Sequence, residues 1–328
     1  MITHLRVVCG DGYDPYRNLA AEQVLLESVE EGECILYLWQ NRQTVVIGRN
    51  QNAWLECRLS ELEQDGGRLA RRLSGGGAVY HDLGNLNFTF LVRKADYDLD
   101  RQLDVVIKAC QKLGISAEKS GRNDVLADDR KFSGNAFYDS GGHAYHHGTL
   151  LVDVDMDALS RYLRPSRAKL EAKGVQSVRS RVVNLRELQP GLTIQSLKEA
   201  MISAYELVYD LPSTPLTIAA LDGTRLAALT ARNESWEWRL GPRLPFTCAC
   251  EGRFLWGGLS LELQVGSGVI ENAKVWSDAM DWQFAGQLED ALRGARFAPE
   301  ALRARLSQSP LSSEIRDGAL QLLADQAF

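Results

Sequence analysis

Three consecutive glycines lie within the stretch Arg71-Arg72-Leu73-Ser74-Gly75-Gly76-Gly77-Ala78-Val79-Tyr80-His81-Asp82. Glycine loses more backbone freedom on folding than any other residue, so three in a row are costly in a helix or strand. The run predicts a loop. It is either a plain surface turn or a place where backbone approaches a ligand closely. In the second case, unobstructed N–H groups can form an anion-binding nest. The neighbouring arginines would add a fork of donors that matches phosphate or carboxylate. The pattern is neither a Walker A loop nor a G-x-G-x-x-G fingerprint, because no Lys-Ser/Thr follows and the glycine spacing differs.

The rest of the chain narrows the setting. Its 328 residues, 45% hydrophobic and 24% charged, allow one large domain or two, with a core that requires neither disulfides nor a structural metal. A formal net charge of −6 argues against a general nucleic-acid binder. Against that background Arg71–Arg72 and Arg179-Ser180-Arg181 read either as small-anion contacts or as solvated surface charge. No apolar run approaches the length of a membrane span. Arg6 and Asp11 interrupt the apolar stretch after Met1, so no secretory signal is expected. Cys9, Cys34, Cys57, Cys110, Cys248 and Cys250 make no C-x-x-C pair, and no histidine stands near the last two at zinc-ligand spacing. They read as reduced, mostly buried thiols of a cytoplasmic protein.

Short strands dominate the first half. Cys34–Trp39 and Thr44–Ile47 are β-rich, and Asn41-Arg42 between them suits a hairpin turn. Leu86–Val92 alternates, with Phe88, Phe90 and Val92 on one face and Asn87, Thr89 and Leu91 on the other. Leu103, Val106, Ile107 and Cys110 share a helical face that Gly114 can end. Leu197, Met201, Ala204 and Val208 make a second stripe. Strand pairs with scattered helices favour α+β over a doubly wound parallel sheet. Leu211–Leu216 and Gly241–Pro245 are proline-containing and read as loops. Beyond them, strand-like Leu259–Val265, a turn at Gly266–Gly268, strand-like Val269–Trp276 and helical patterns from Gln283 suggest a small second domain. The expected division is 1–245 and 246–328.

Three further stretches carry candidate chemistry. Ser120 to Val125 followed by Asp128 to Gly134 reads as strand, tight acidic turn, strand, with Lys131 facing either solvent or a site. His146 and His147 point to opposite faces of a strand and cannot share one metal there. A core or hydrogen-bonded histidine is the preferred reading. Lys169 to Val182 is dense in positive charge and contains Gly174, which suggests a mobile basic loop.

Taken in order, these segments resemble the bacterial lipoate–protein ligase A family, within the biotin/lipoate protein ligases. The resemblance runs over almost the whole chain. It includes Tyr13-Asp14-Pro15, Val46-Ile47-Gly48-Arg49 with Gln51-Asn52, the Arg71–Asp82 block, Ser120 to Asp124, Arg130-Lys131, His146 to Leu150, Lys173 to Val182 and Ser235-Trp236-Glu237-Trp238. It implies a large mixed-sheet catalytic domain and a small C-terminal domain. It also implies an enzyme that activates lipoate to lipoyl-AMP with ATP and Mg2+, holds no prosthetic group, and transfers the lipoyl group to a lysine. The implied acceptors are apo lipoyl domains of E2 subunits and the glycine cleavage H protein, and the implied state is a monomer. Carried over by position, the match assigns Lys131 as the central contact to lipoate and ATP. It places Arg72, Ser74, Gly75, Gly76, Gly77, Ala78, Val79, Tyr80, His81, Asn123 and Asp124 in substrate and nucleotide binding. The metal ligands stay open, with Asn123 and Asp124 as candidates.

Three rivals are weighed against this reading. Octanoyl transfer from a carrier protein needs no ATP, but no cysteine lies between Cys110 and Cys248 to serve it, and the C-terminal region favours the ligase. A lysine-based transferase is harder to dismiss. The Ser74-to-Asp82 block argues against biotin ligation. Lys131 and the glycine loop argue against a non-catalytic lipoate binder.

Overall fold

The computed structural model describes residues 1–121, 124–164, 182–241 and 248–324. Its centre is β6 (Asn85–Arg93), the strand whose alternation is clearest in the sequence. β6 runs antiparallel to both β2 (Glu33–Trp39) and β10 (His143–Leu151). Leu86, Phe88, Phe90 and Val92 enter one core, with the helices Leu99–Lys112 and Ile194–Tyr209. Leu91 enters a second core, with the helix Pro15–Ser28. The alternation therefore separates two buried faces. The full sheet has eight strands in the order β11 (Ser213–Leu216), β1 (His4–Cys9), β2, β6, β10, β9 (Arg130–Ser140), β8 (Asp124–Ala127) and β7 (Glu118–Ser120).

Both helical stripes are found where the periodicity predicts them. Leu103, Val106 and Cys110 are buried, and Gly114 at φ +77° follows the end of their helix. Leu197, Met201 and Ala204 are buried in the second helix.

The predicted hairpin between Cys34–Trp39 and Thr44–Ile47 does not form. β3 (Thr44–Ile47) leaves the main sheet and joins a second one, parallel to β4 (Arg68–Arg71) and antiparallel to β5 (Val79–His81). Asn41 is fully buried at the crossing, where it accepts from Asn18 and faces His81. Those tertiary bonds replace the expected turn. Leu211–Leu216 is likewise not all loop. Ser213–Leu216 pairs in parallel with β1 at the sheet edge, where Pro215 is tolerated because an edge strand leaves one row of N–H positions unpaired.

The C-terminal region is a small α+β domain. β12 (Cys248–Phe254), β13 (Gly257–Gly266) and β14 (Val269–Ser277) form an antiparallel meander, and the first of these was not legible in the sequence. Helices Phe284–Leu292, Pro299–Ser307 and Ser313–Ala324 close a separate core around Leu261, Leu263, Val275, Leu288 and Leu302. The chain thus has the expected α+β class. The expected boundary at 245/246 and most of Gly241–Pro245 lie outside the described residues.

The two parts touch at named points. Ser277 N donates to Asn50 O at 2.7 Å, and Asn50 Nδ2 donates to Trp282 O at 2.8 Å. The Trp282 ring lies 4.7 Å from that of Tyr138.

Candidate active site

The glycine loop joins β4 to β5, and two buried arginines stand at its start, of which Arg72 holds the loop. Arg71 and Arg72 are 5% and 6% exposed, so neither is a solvated surface charge. Arg71 donates to the carbonyls of Gly48, Arg49, Gln51, Trp238 and Arg239. Trp238 returns a bond from Nε1 to Arg71 O at 2.9 Å. The Ser235-to-Trp238 motif is therefore an anchor for β4. Arg72 donates to Gly75 O at 2.7 Å, Gly77 O at 2.8 Å, Ser74 Oγ at 3.0 Å and Val46 O at 3.2 Å. Burial pushes both guanidinium pKa values down, Arg71 to about 9 and Arg72 to about 10. The carbonyls offset the cost of burying each charge.

This arrangement explains the glycines. Gly76 sits at φ +87°, and a Cβ there would lie 3.0 Å from Arg72 Nη2 and 3.1 Å from Met280 Sδ. A Cβ on Gly75 would lie 2.4 Å from Ala279 O. The loop is thus a tightly enclosed segment, wedged between Arg72 and the C-terminal domain.

Below the loop runs a buried polar chain. Ser74 Oγ meets His147 Nε2 at 2.8 Å, and His147 Nδ1 meets Glu22 Oε1 at 2.8 Å. Thr89 Oγ1 donates to the same Glu22 oxygen at 2.7 Å, and Trp39 Nε1 donates to Thr89 Oγ1 at 3.1 Å. Side chains alone thus tie the glycine loop to four elements: β10, the helix Pro15–Ser28, β6 and β2.

Lys131 reaches the same place by a fault in the sheet. Asp128 and Asp129 both have positive φ, which makes the predicted tight acidic turn between β8 and β9. Leu126 then faces Lys131 while Val125 faces Ser133, leaving Phe132 as an extra residue on β9. Such a bulge re-aims the side chains on either side of it. Phe132 enters the core, and Lys131 shares a face with Gly134, where an added Cβ would lie 3.0 Å from its Nζ. Lys131 Nζ lies 2.7 Å from Asp124 Oδ1, and both side chains are 35% exposed.

These elements enclose a cavity of about 300 Å³. Of the predicted residues, Arg72, Gly76, Gly77, Ala78, Val79, His81 and Lys131 line it. Ser74 lies beneath it, and Gly75 turns toward Ala279. Tyr80 points the other way: neighbours on a strand alternate, and its ring packs 5.6 Å from Tyr162 in a separate apolar cluster. Asp124 is off the wall and forms an ion pair with Lys131. Asn123 and residues 169–181 of the predicted basic loop lie outside the described residues. Thr149, inside the His146-to-Leu150 stretch, is also on the wall, and among the wall residues that the sequence did not propose for the site are Trp39, Asn87, Asn135 and Met280. Nothing local marks them, since they converge only through strand register and domain docking. His147 has the hydrogen-bonded role preferred from the sequence, and it also faces the cavity. His146 faces the opposite side, stacked on Phe90 and packed against Phe88 and Phe137.

Among the described residues no group of three or more His, Cys, Asp or Glu could hold a metal ion. Asp124 is the nearby carboxylate.

The glycine loop, buried Arg72 and Lys131 meet around one cavity of this α+β chain, and the family models that match the chain are those of ligases. The catalytic-domain model of lipoyl protein ligase A/B matches residues 14–206, and the model of the bacterial lipoate protein ligase C-terminus matches residues 244–325. The chain belongs to the lipoate–protein ligase family. P. falciparum LipL1, solved in complex with lipoate, is similar over 97% of this chain and 99% of its own, at 28% identity and TM-score 0.85. A lipoate–protein ligase A solved with ATP is 26% identical over 74% of this chain and 99% of its own, at TM-score 0.62. The bipartite lipoate protein ligase of Thermoplasma acidophilum, described with its E2 lipoyl domain, is 27% identical over 76% of this chain and 100% of its own, at TM-score 0.64.

Proposed function

We propose that the chain is an ATP-dependent lipoate–protein ligase that makes lipoyl-AMP and then lipoylates a lysine of an acceptor protein. The observation that carries this is partly exposed Lys131 on the wall of the same cavity as the glycine loop. The names of the similar proteins support it: one was solved with lipoate, another with ATP.

In the first step a lipoate carboxylate oxygen attacks the α-phosphorus of ATP, and the bond to the bridging oxygen breaks to release pyrophosphate. Two anions must meet. The Lys131 ammonium, fixed between them, offsets their repulsion and stabilises the charge that develops. The loop held by Arg72 positions the reactants, and the cavity keeps the mixed anhydride from water. Magnesium would enter on the phosphates, with the Asp124 carboxylate as one protein oxygen. In the second step a neutral lysine amine of the acceptor attacks the acyl carbon, and AMP leaves. The acceptors are apo lipoyl domains of E2 subunits and the glycine cleavage H protein. The E2 lipoyl domain named with the bipartite ligase favours the first of these. The enzyme acts as a cytoplasmic monomer.

Incubation with lipoate, ATP-Mg and an apo lipoyl domain tests the reading by the acceptor's mass. One lipoyl group should be added, only when ATP is present. Transfer from an acyl carrier protein without ATP, or no transfer at all, would overturn it.

A further inference from the structure

Two buried polar atoms on residues that line the cavity have no partner among the described residues: His81 Nε2 and Asn87 Nδ2. His81 is 3% exposed and Asn87 is 2% exposed.

The neighbours fix His81 Nε2 as a donor. Asn18 Nδ2 donates to the Gln40 carbonyl at 2.8 Å, so this amide nitrogen also meets the side-chain oxygen of Asn41, 3.0 Å away. Asn41 therefore turns its own Nδ2 toward His81 Nδ1 at 3.2 Å, and that nitrogen must accept. The proton of the neutral imidazole is left on Nε2. Burial keeps His81 neutral, pushing its pKa down to about 3, with Arg72 adding to the effect. Asn85 Nδ2 donates to Asn87 Oδ1 at 2.9 Å, and in that pairing Asn87 adds its Nδ2 to the same floor. Backbone carbonyls anchor the first relay, so it is set before any ligand arrives.

The position of these donors gives them a target. Lys131 is partly exposed and marks the mouth where a carboxylate head would sit. A tail then runs inward, to the buried floor that His81, Asn87 and Trp39 help to form. We infer that this floor selects a tail that carries hydrogen-bond acceptors, the dithiolane sulfurs of lipoate, over a plain alkyl chain of the same length. The inference rests on the lipoate reading above and names a selectivity within it. Sulfur is a weak acceptor, but an alkyl chain offers none and would also expel any water that could serve. A site built around polar groups rejects the analogue that leaves them unpaired.

Calorimetric titration of the full chain with lipoate and with octanoate tests this, on the wild type, Asn87→Leu and His81→Phe. The wild type should bind lipoate more tightly, and each variant should narrow the ratio by about tenfold, the scale of one buried hydrogen bond. A variant that merely loosens the fold weakens both acids and leaves the ratio in place. An unchanged ratio in the variants that fold, or equal binding of both acids by the wild type, would overturn the inference. Pyrophosphate release by the wild type with lipoate and ATP is measured alongside. Its absence overturns the ligase reading, while the binding ratio still judges the floor.

Discussion

The backbone N–H of Gly76 donates to the carbonyl of Ala279 at 2.9 Å, so the glycine loop and the C-terminal domain share a hydrogen bond at the cavity. Met280 beside it lines the cavity wall. A phosphate or carboxylate that takes the Gly76 donor must displace Ala279. An acceptor domain also needs an open approach to the adenylate. The C-terminal domain should therefore move as a rigid body when adenylate forms. Fluorophores on the two domains should show a change in energy transfer when lipoate and ATP are added together. Unchanged transfer, with full acceptor modification by a protein whose domains are cross-linked, would show a static attachment.

Lys131→Met should abolish adenylate formation and leave the fold intact. Its ion pair with Asp124 is partly exposed on both sides, so its loss should cost at most about 1 kcal/mol of stability. The loss of transition-state charge stabilisation should slow pyrophosphate release by about 10²–10³-fold or more. Thermal unfolding and a pyrophosphate assay on the same preparation check both halves. Normal release by the folded variant would remove Lys131 from the chemistry.

Gly76→Val should weaken binding of a stable lipoyl-adenylate analogue more than it weakens the fold. The φ of +87° and the contacts with Arg72 and Met280 add a stability cost of about 1–3 kcal/mol. The stiff β-branched side chain should also block backbone approach. Titration with the analogue, beside urea unfolding, separates the two effects. Undiminished affinity would make the glycines a turn and nothing more.

Acid should destabilise the protein through two histidines. His81 and His146 are both pushed down to about 3, chiefly by burial. In the unfolded chain each titrates near 6.5, so unfolding is favoured once the unfolded chain takes up protons that the folded chain refuses. Their contribution is complete above about pH 6.5 and is lost toward pH 3, at about 1.4 kcal/mol per pH unit for each histidine. Urea unfolding from about pH 7 to about pH 5 should show this fall, with a shallower slope for His146→Phe. An equal slope in the variant would mean that His146 titrates normally when folded.

The sequence by itself determined the local parts. Alternation in Leu86–Val92, the stripes around Leu103 and Leu197, the turn at Asp128-Asp129 and the glycine loop all depend on near neighbours. Near-neighbour sterics and periodicity are written in a linear order. The block from Arg71 to Asp82 likewise held most of the cavity residues named in advance. Only the tertiary structure decided what each part faces. Asn41 was a turn residue by composition, yet burial against Asn18 and His81 sends β3 into another sheet. Lys131 was a strand residue that faced solvent or a site until one extra residue, Phe132, set its direction. Arg71 and Arg72 were charges with two readings until the carbonyls around them were in place. Met280 joins the wall only because the second domain docks there. For Asn41, Arg71 and Met280 the deciding partner lies far along the chain, and the bulge at Phe132, though next to Lys131, exists only where β9 pairs with β8; contacts of that kind form only once the chain has folded.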